Sequence, residues 1–368
     1  KLMKDANNWR RLLTWASLAL VAAVGAWAQE ETGSVYVTVT DGQGTALPGV
    51  TVELAGFGAP QIQVSDVQGH VRFLNLAPGQ WSLTASLDGY SSLEYPSIDV
   101  RIARSATLEV QLSEAIGEVI TVTSESPLLD ERRIQSGTTV SQVELETIPT
   151  ARDPWAVLNQ TPGVQTDRVN VGGNESGQQS GYQSSGSNSD NNTWNIDGIP
   201  ITDMAAVGAS PGYYTYDTFD EINIATGGSD ISAATGGVHM NMVTKRGSNT
   251  PHGSANINWA DDALQSSNLP PELEGDPRLD GNDKADHVDN ITDYSLDIGG
   301  PIWKDHLWGY FSYGKNQIDI IRLVQSPDKT TLENITAKVN WQATDSDAVS
   351  YFFFHPSKVK IGRPTGVE

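Results

Sequence analysis

Gly253-Ser254-Ala255-Asn256-Ile257-Asn258-Trp259 is the stretch on which the fold turns. Successive side chains of a strand point to opposite sides, so Gly253, Ala255, Ile257 and Trp259 share one face while Ser254, Asn256 and Asn258 share the other. The alternation returns downstream. Tyr294, Leu296 and Ile298 interleave with Asp293, Ser295 and Asp297, and Ile335, Ala337, Val339 and Trp341 interleave with Thr336, Lys338 and Asn340. An apolar outer face, a polar inner face and aromatic strand ends make the pattern of a transmembrane β-barrel wall. One such strand taken alone fits a soluble one-sided sheet better; the sequence upstream reverses that preference.

At the N-terminus, Lys4, Arg10 and Arg11 precede an apolar run from Leu12 to Val24, and Ala26-Trp27-Ala28 supplies a small-x-small cleavage site, so residues 1–28 read as a secretory signal peptide. The run is shorter than the ~20 residues a spanning helix needs. No later stretch approaches that length, which leaves strands as the means of spanning. The formal net charge is −22, and loss of the leader removes four cations and one anion, leaving the mature chain more acidic still. Such a field repels nucleic acid, which is not expected as a partner. With no cysteine in the chain, disulfides, thiol catalysis and thiolate metal sites are excluded.

Residues 33–112 read as seven short strands: Val35 to Val39, Val50 to Leu54, Gln61 to Ser65, His70 to Phe73, Trp81 to Ser86, Ile98 to Ile102 and Thr107 to Leu112. Turns at Asp41-Gly42-Gln43-Gly44, Gln68-Gly69, Pro78-Gly79 and Asp88-Gly89 give the spacing of a small sandwich. Together with Leu47-Pro48-Gly49-Val50, Asp66-x-x-Gly69-x-x-Arg72-Phe73, Leu76-x-Pro78-Gly79 and Leu87-x-Gly89-Tyr90, the first turn resembles the carboxypeptidase regulatory-like domain, a transthyretin-type sandwich. Despite the name, the resemblance implies no peptidase activity.

A connector follows in which Glu118, Val119, Ile120, Thr121, Val122 and Thr123 form an extended, mostly β-branched hexamer. The default reading is a linker strand; the alternative is a strand that a partner captures by β-augmentation, through backbone hydrogen bonds. Further on, Ser141-x-x-Glu144 is a capping box and Asp153-Pro154 an N-cap with proline at the first helical position. Gly172 to Thr193 is Gly, Ser, Asn and Gln-rich, too polar to pack and too long for a simple turn. Strands resume at Thr193 to Asp197, Glu221 to Ala225 and Val238 to Thr244.

Ile148-Pro149 with Arg152-Asp153, Leu158 to Val164, Asn195-Ile196-Asp197-Gly198, Phe219-Asp220-Glu221-Ile222, Ala225-Thr226-Gly227-Gly228, and Gly236-Gly237-Val238 followed by Thr244 to Asn249 closely resemble the plug of TonB-dependent outer-membrane receptors of the Oar-like type, which carry the same N-terminal sandwich. His252-Gly253-Ser254, Gly299-Gly300-Pro301-Ile302 and Leu307 to Tyr313 resemble the start of that family's barrel. The resemblance implies a mainly β chain: signal peptide at 1–28, transthyretin-like β-sandwich at 29–113, connector at 114–128, α+β plug domain at 129–250, and the first strands of an incomplete transmembrane β-barrel at 251–368. It implies import of an external ligand, a glycan, peptide or siderophore, through a plugged barrel in the outer membrane of a Gram-negative bacterium, with the sandwich in the periplasm. The implied partners are outer-membrane lipid and the energy-transducing TonB protein, with Glu118 to Thr123 as the TonB contact. The rival reading is a surface binding or adhesion protein without active transport, and an accessory module of a secreted peptidase ranks below it. About five barrel strands are legible where closed barrels use at least ~8, so the chain is expected to be the N-terminal part of a longer protein.

No phosphate-binding loop, dinucleotide fingerprint or His-x-x-x-His pairing occurs, so neither catalysis nor a cofactor or metal centre is expected. The acidic segment from Asp276 to Asp289 departs from a calcium loop by placing Lys284 where an oxygen ligand belongs, and reads as a solvated extracellular loop with calcium as the alternative. Trp303, Trp308, Tyr310 and Tyr313 are expected to form an interfacial aromatic belt. Tyr182, Trp194, Tyr213, Tyr214 and Tyr216 are the candidate ligand-binding residues, because aromatics on polar loops offer large contact area at low entropic cost. Packing of the same residues against the barrel wall is the favoured alternative.

Overall fold

The computed structural model describes residues 32–56, 60–101, 104–114, 119–121, 136–168, 173, 176–228, 235–277, 284–322, 327–344 and 347–362. Residues 1–28, expected to be a signal peptide, lie outside the described residues. The first body is a two-sheet sandwich. Its smaller sheet orders β4 (His70–Leu76), β1 (Gly33–Asp41) and β7 (Ser105–Leu112), with β1 and β7 parallel. Its larger sheet runs β3 (Gln61–Val64), β2 (Thr51–Ala55), β5 (Gly79–Ser86), β6 (Ser92–Val100) and β8 (Val119–Thr121). Val35, Val37 and Val39 face inward from β1 and meet Val52, Leu54, Phe73, Leu83 and Leu108 in one aliphatic core. The turns are built as the sequence implies. Asp66 Oδ1 accepts from the backbone N–H of Gln68 at 2.9 Å and of His70 at 2.8 Å, while Gly69 takes φ +77°, a left-handed conformation in which a Cβ would also collide with the Val39 carbonyl oxygen.

Two features of this body differ from the sequence reading. Strand β6 begins at Ser92 and carries Pro96 within it. The register slips there, Trp81 facing Ile98 while Leu83 faces Tyr95, and a bulge is where a residue without an N–H is tolerated. In addition, part of the connector joins the sheet as β8.

The plug is a five-stranded sheet in the order β13 (Ile199–Pro200), β12 (Thr193–Ile196), β15 (His239–Thr244), β14 (Phe219–Gly227) and β9 (Ser136–Ser141). A hairpin of β10 (Val164–Thr166) and β11 (Tyr182–Ser184) lies outside that sheet. Helix α1 (Gln142–Thr147) is capped by Glu144 Oε2, which accepts from Ser141 N–H at 2.8 Å; helix α2 (Pro154–Gln160) is capped by Asp153 Oδ1, which accepts from Ala156 N–H at 2.9 Å. Between β12 and β13, Asp197 and Gly198 both have positive φ, the requirement of a two-residue hairpin turn that Asp-Gly meets.

Five antiparallel strands form the wall as a meander: β16 (His252–Asp261), β17 (His287–Trp303), β18 (Leu307–Ile321), β19 (Pro327–Gln342) and β20 (Ala348–Ile361). The alternation read from the sequence sorts by face. Ile257, Trp259, Leu296, Ile298 and Trp341 are exposed on the outside, and Ser295, Asp297, Thr336 and Lys338 are buried on the inside. Trp308 and Tyr310 correct the belt expectation. Pairing of Ile298 with Phe311 and of Leu296 with Tyr313 puts odd-numbered residues of β18 on the outer face, so Trp308 and Tyr310 point inward and are buried, while Trp303 is exposed.

Candidate functional site

The inner face of the wall meets the plug along a polar seam. Arg152, held at φ 55° just ahead of α2, donates from Nη2 to both carboxylate oxygens of Asp217 and from Nε to Asp293 Oδ2 on β17 at 3.3 Å. Ser295 adds a hydroxyl donor to Asp217 Oδ2 at 2.5 Å, and the Arg152 guanidinium lies 5.5 Å from the centre of the Tyr216 ring. Burial works against the Arg152 charge, but the hydrogen bonds and charges of Asp217 and Asp293 outweigh it and raise its pKa. Lys338 of β19 is 1% exposed; its Nζ donates to Asp197 Oδ2 at 2.7 Å and to Thr244 Oγ1 at 3.0 Å. Asp197 also accepts from Thr244 N–H at 2.9 Å, so one plug carboxylate closes its own turn and receives a wall lysine.

A second cluster joins the seam at Ser176. Its hydroxyl donates to Asp328 Oδ1 at 2.8 Å; Lys360 donates to the same carboxylate, and Arg322 Nη2 reaches Asp328 Oδ2 at 2.7 Å. The plug's exit crosses the wall closely at Gly247, where a Cβ would collide with the carbonyl oxygens of Gly309 and Gly300. Among the described residues no group of three or more His, Cys, Asp or Glu is placed to hold a metal ion.

The aromatic candidates are placed inside. Tyr182, Trp194, Tyr214 and Tyr216 are buried and Tyr213 half-buried. Trp155 of α2 is their hub, with ring centroids 5.1 Å from Trp194 and 5.6 Å from Tyr213, and Tyr182 meets Trp194 edge-on at 5.7 Å. Two of them reach the wall. Tyr214 stacks on Phe354 at 5.2 Å, and Lys358 Nζ lies 4.5 Å from the Tyr213 ring centre. Desolvation raises the pKa of the Tyr182 and Tyr214 phenols, so both stay protonated across the physiological range. Trp155 and Phe354 were not singled out in the sequence, although α2's apolar face carried a signal for the first.

Of the connector hexamer, Val119, Ile120 and Thr121 form β8, and Glu118, Val122 and Thr123 lie outside the described residues. Strand β8 runs parallel to β6, Ser92 facing Val119, Leu93 facing Ile120 and Glu94 facing Thr121. Among the described residues it is the last strand of its sheet.

Residues 34–113 match the family model of the carboxypeptidase regulatory-like domain, and residues 131–238 match that of the TonB-dependent receptor plug domain. The chain thus carries a carboxypeptidase regulatory-like domain followed by a TonB-dependent receptor plug domain. It is 29% identical over 305 residues to the TonB-dependent transporter Oar of Myxococcus xanthus, a match covering 78% of this chain and 27% of that protein. The chain thus spans about a quarter of the length of the curated relative it matches. Among solved structures it is similar to the siderophore receptor PirA from Acinetobacter baumannii, with 18% identity, 61% of this chain and 32% of the other covered, and a TM-score of 0.46. It is also similar to the outer membrane transporter YddB from Escherichia coli, with 14% identity, coverage of 61% and 33%, and a TM-score of 0.48.

Proposed function

We propose that the chain is the N-terminal part of an active transporter that imports an external ligand, a glycan, peptide or siderophore, through a plugged barrel. The division at residues 28, 113, 128 and 250 belongs to this reading. The signal peptide directs export, the wall spans the outer membrane, and the sandwich stands in the periplasm. The observation that carries the proposal is the seam: a plug held inside an amphipathic wall by hydrogen bonds and ion pairs, contacts that water and ions replace when the plug moves. In this reading the TonB protein takes Glu118 to Thr123 as a strand and supplies the pull, and no chemistry is done on the ligand.

The test is a paired measurement in cells making the full-length protein. Surface binding and internal accumulation of labelled glycan, peptide and iron-siderophore probes are scored together. Proline removes a ladder donor and restricts the chain, so Val119→Pro and Val122→Pro are expected to abolish accumulation while leaving surface binding intact, and Thr121→Ala to be mild. Normal accumulation in both proline variants would remove the connector from the mechanism, and surface binding without accumulation in the parent protein would move it to the adhesion reading.

A further inference from the structure

The strand assigned to TonB contact already has a partner in this structure. Val119–Thr121 is paired through its backbone with Ser92–Glu94, as the terminal strand of the larger sandwich sheet. We propose that the Ser92–Glu94 edge of the sandwich is a resting dock for the coupling strand, and that it competes with the energy-transducing protein for the same backbone groups. The inference rests on the reading of Glu118 to Thr123 as the coupling strand.

The chain is arranged to make this dock local. Ser91 N–H and Ser91 Oγ both donate to the Ser113 carbonyl oxygen, each at 3.0 Å, and the two hydroxyls lie 2.8 Å apart. The end of β7 is thereby pinned beside the start of β6, and only four residues of sequence, 115–118, separate Glu114 from Val119. A short tether gives the strand a high effective concentration at its dock, on the order of millimolar. The pairing itself is shallow. Three residues in parallel register supply few hydrogen bonds, and parallel pairing is slightly weaker per residue than antiparallel. A partner that offers a longer strand to the whole hexamer therefore displaces the sandwich without unfolding it, because β6 remains paired with β5 on its other side. If only a fraction of molecules has the strand free, the partner's apparent affinity is reduced by that fraction.

Residues 1–368 contain no cysteine, so no native thiol within them competes with an engineered pair. Glu94→Cys with Thr121→Cys, and separately Ser92→Cys with Val119→Cys, place the new thiols opposite each other in register. Adjacent strands bring such pairs within the Cα separation a disulfide spans. Full-length protein in outer-membrane extracts is oxidised, and its binding to the purified periplasmic domain of the TonB protein from the same host is measured before and after reduction. The expected result is a crosslink in both pairs, at least a ~10-fold loss of binding when oxidised, and recovery on reduction, with the binding of each single-cysteine variant the same before and after reduction. Failure of either pair to crosslink, with both thiols open to a maleimide, overturns the dock. A crosslink that leaves binding unchanged overturns the competition, since the partner then adds to the free edge of β8. Unreduced binding by Val119→Pro and Val122→Pro variants would place the failure in the coupling-strand reading itself, and the inference would fall with it.

Discussion

The sandwich and the plug–wall seam are both packed regions of one chain, yet they are held by opposite means. The sandwich closes over Val, Leu, Ile and Phe side chains from two sheets, with Phe73, Leu54 and Leu83 almost fully buried. The seam buries Lys338, Asp328, Asp297 and Thr336 instead. Apolar burial is favourable without regard to direction and has no aqueous substitute. A buried ion pair roughly balances its desolvation cost, so it sets position and register more than it sets stability. The difference suits a body that stays folded under load and a boundary at which two bodies part.

The largest effect is expected in the sandwich. Phe73→Ala removes a ring that is 1% exposed from the centre of the core, and such truncations cost about 3–5 kcal/mol. Hydrogen exchange read segment by segment should show protection lost across residues 33–112 and unchanged across the wall strands. Loss of protection in both bodies would break the comparison, because it would make them one cooperative unit.

The seam responds differently. Lys338→Met leaves the part-buried Asp197 carboxylate beside an apolar chain, and removal of one partner from such a pair costs about 3 kcal/mol. Adding Asp197→Asn keeps a residue that tolerates positive φ and still accepts from Thr244 N–H, while removing the stranded charge. The double variant should regain at least half of the loss in thermal unfolding of the detergent-solubilised protein. A double variant no better than Lys338→Met alone would mean that the lysine acts by packing rather than by charge.

What the sequence made legible followed period and turn chemistry. The β1 valines, the Asp66 and Asp41 turns, the two helix caps and the faces of β17 and β19 are all local patterns, each settled within a few residues. The seam was not legible, since Arg152 and Asp293 lie far apart in sequence and nothing local marks them as partners. The aromatics were ambiguous for a related reason: Tyr182 and Trp194 sit in segments too short and irregular for a period to say which way they point. Trp308 and Tyr310 carried a readable signal, because they share the parity of Ser312 rather than that of Phe311 and Tyr313. The docking of β8 had no signal at all, as a β-branched hexamer looks the same whether it is free or paired.

The smallest effect is expected at Glu221 of β14, where a plug carboxylate is buried rather than paired across the seam. It is 4% exposed, and among the described residues its Oε1 has no hydrogen-bond partner. Burial pushes its pKa from 4.5 up to about 8; the Arg101 charge pulls back and the Asp220 charge pushes further. Below pH 4.5 the folded and unfolded states both hold the proton, so the group contributes nothing to the pH dependence of stability. Between 4.5 and about 8 the folded state keeps a proton that the unfolded state has lost, so stability falls as pH rises and the full penalty is present above that window. Glu221→Gln copies the protonated form at every pH. It should match the parent near pH 4.5 and exceed it by about 1–2 kcal/mol at pH 8, a gain held below the full shift because the plug relaxes around a charged carboxylate. Thermal midpoints of the two proteins measured across this range should therefore diverge as pH rises. Parallel curves would mean that Glu221 is ionised and satisfied in the folded plug, and the contrast between a charge-paired seam and an uncharged plug interior would lose its clearest instance.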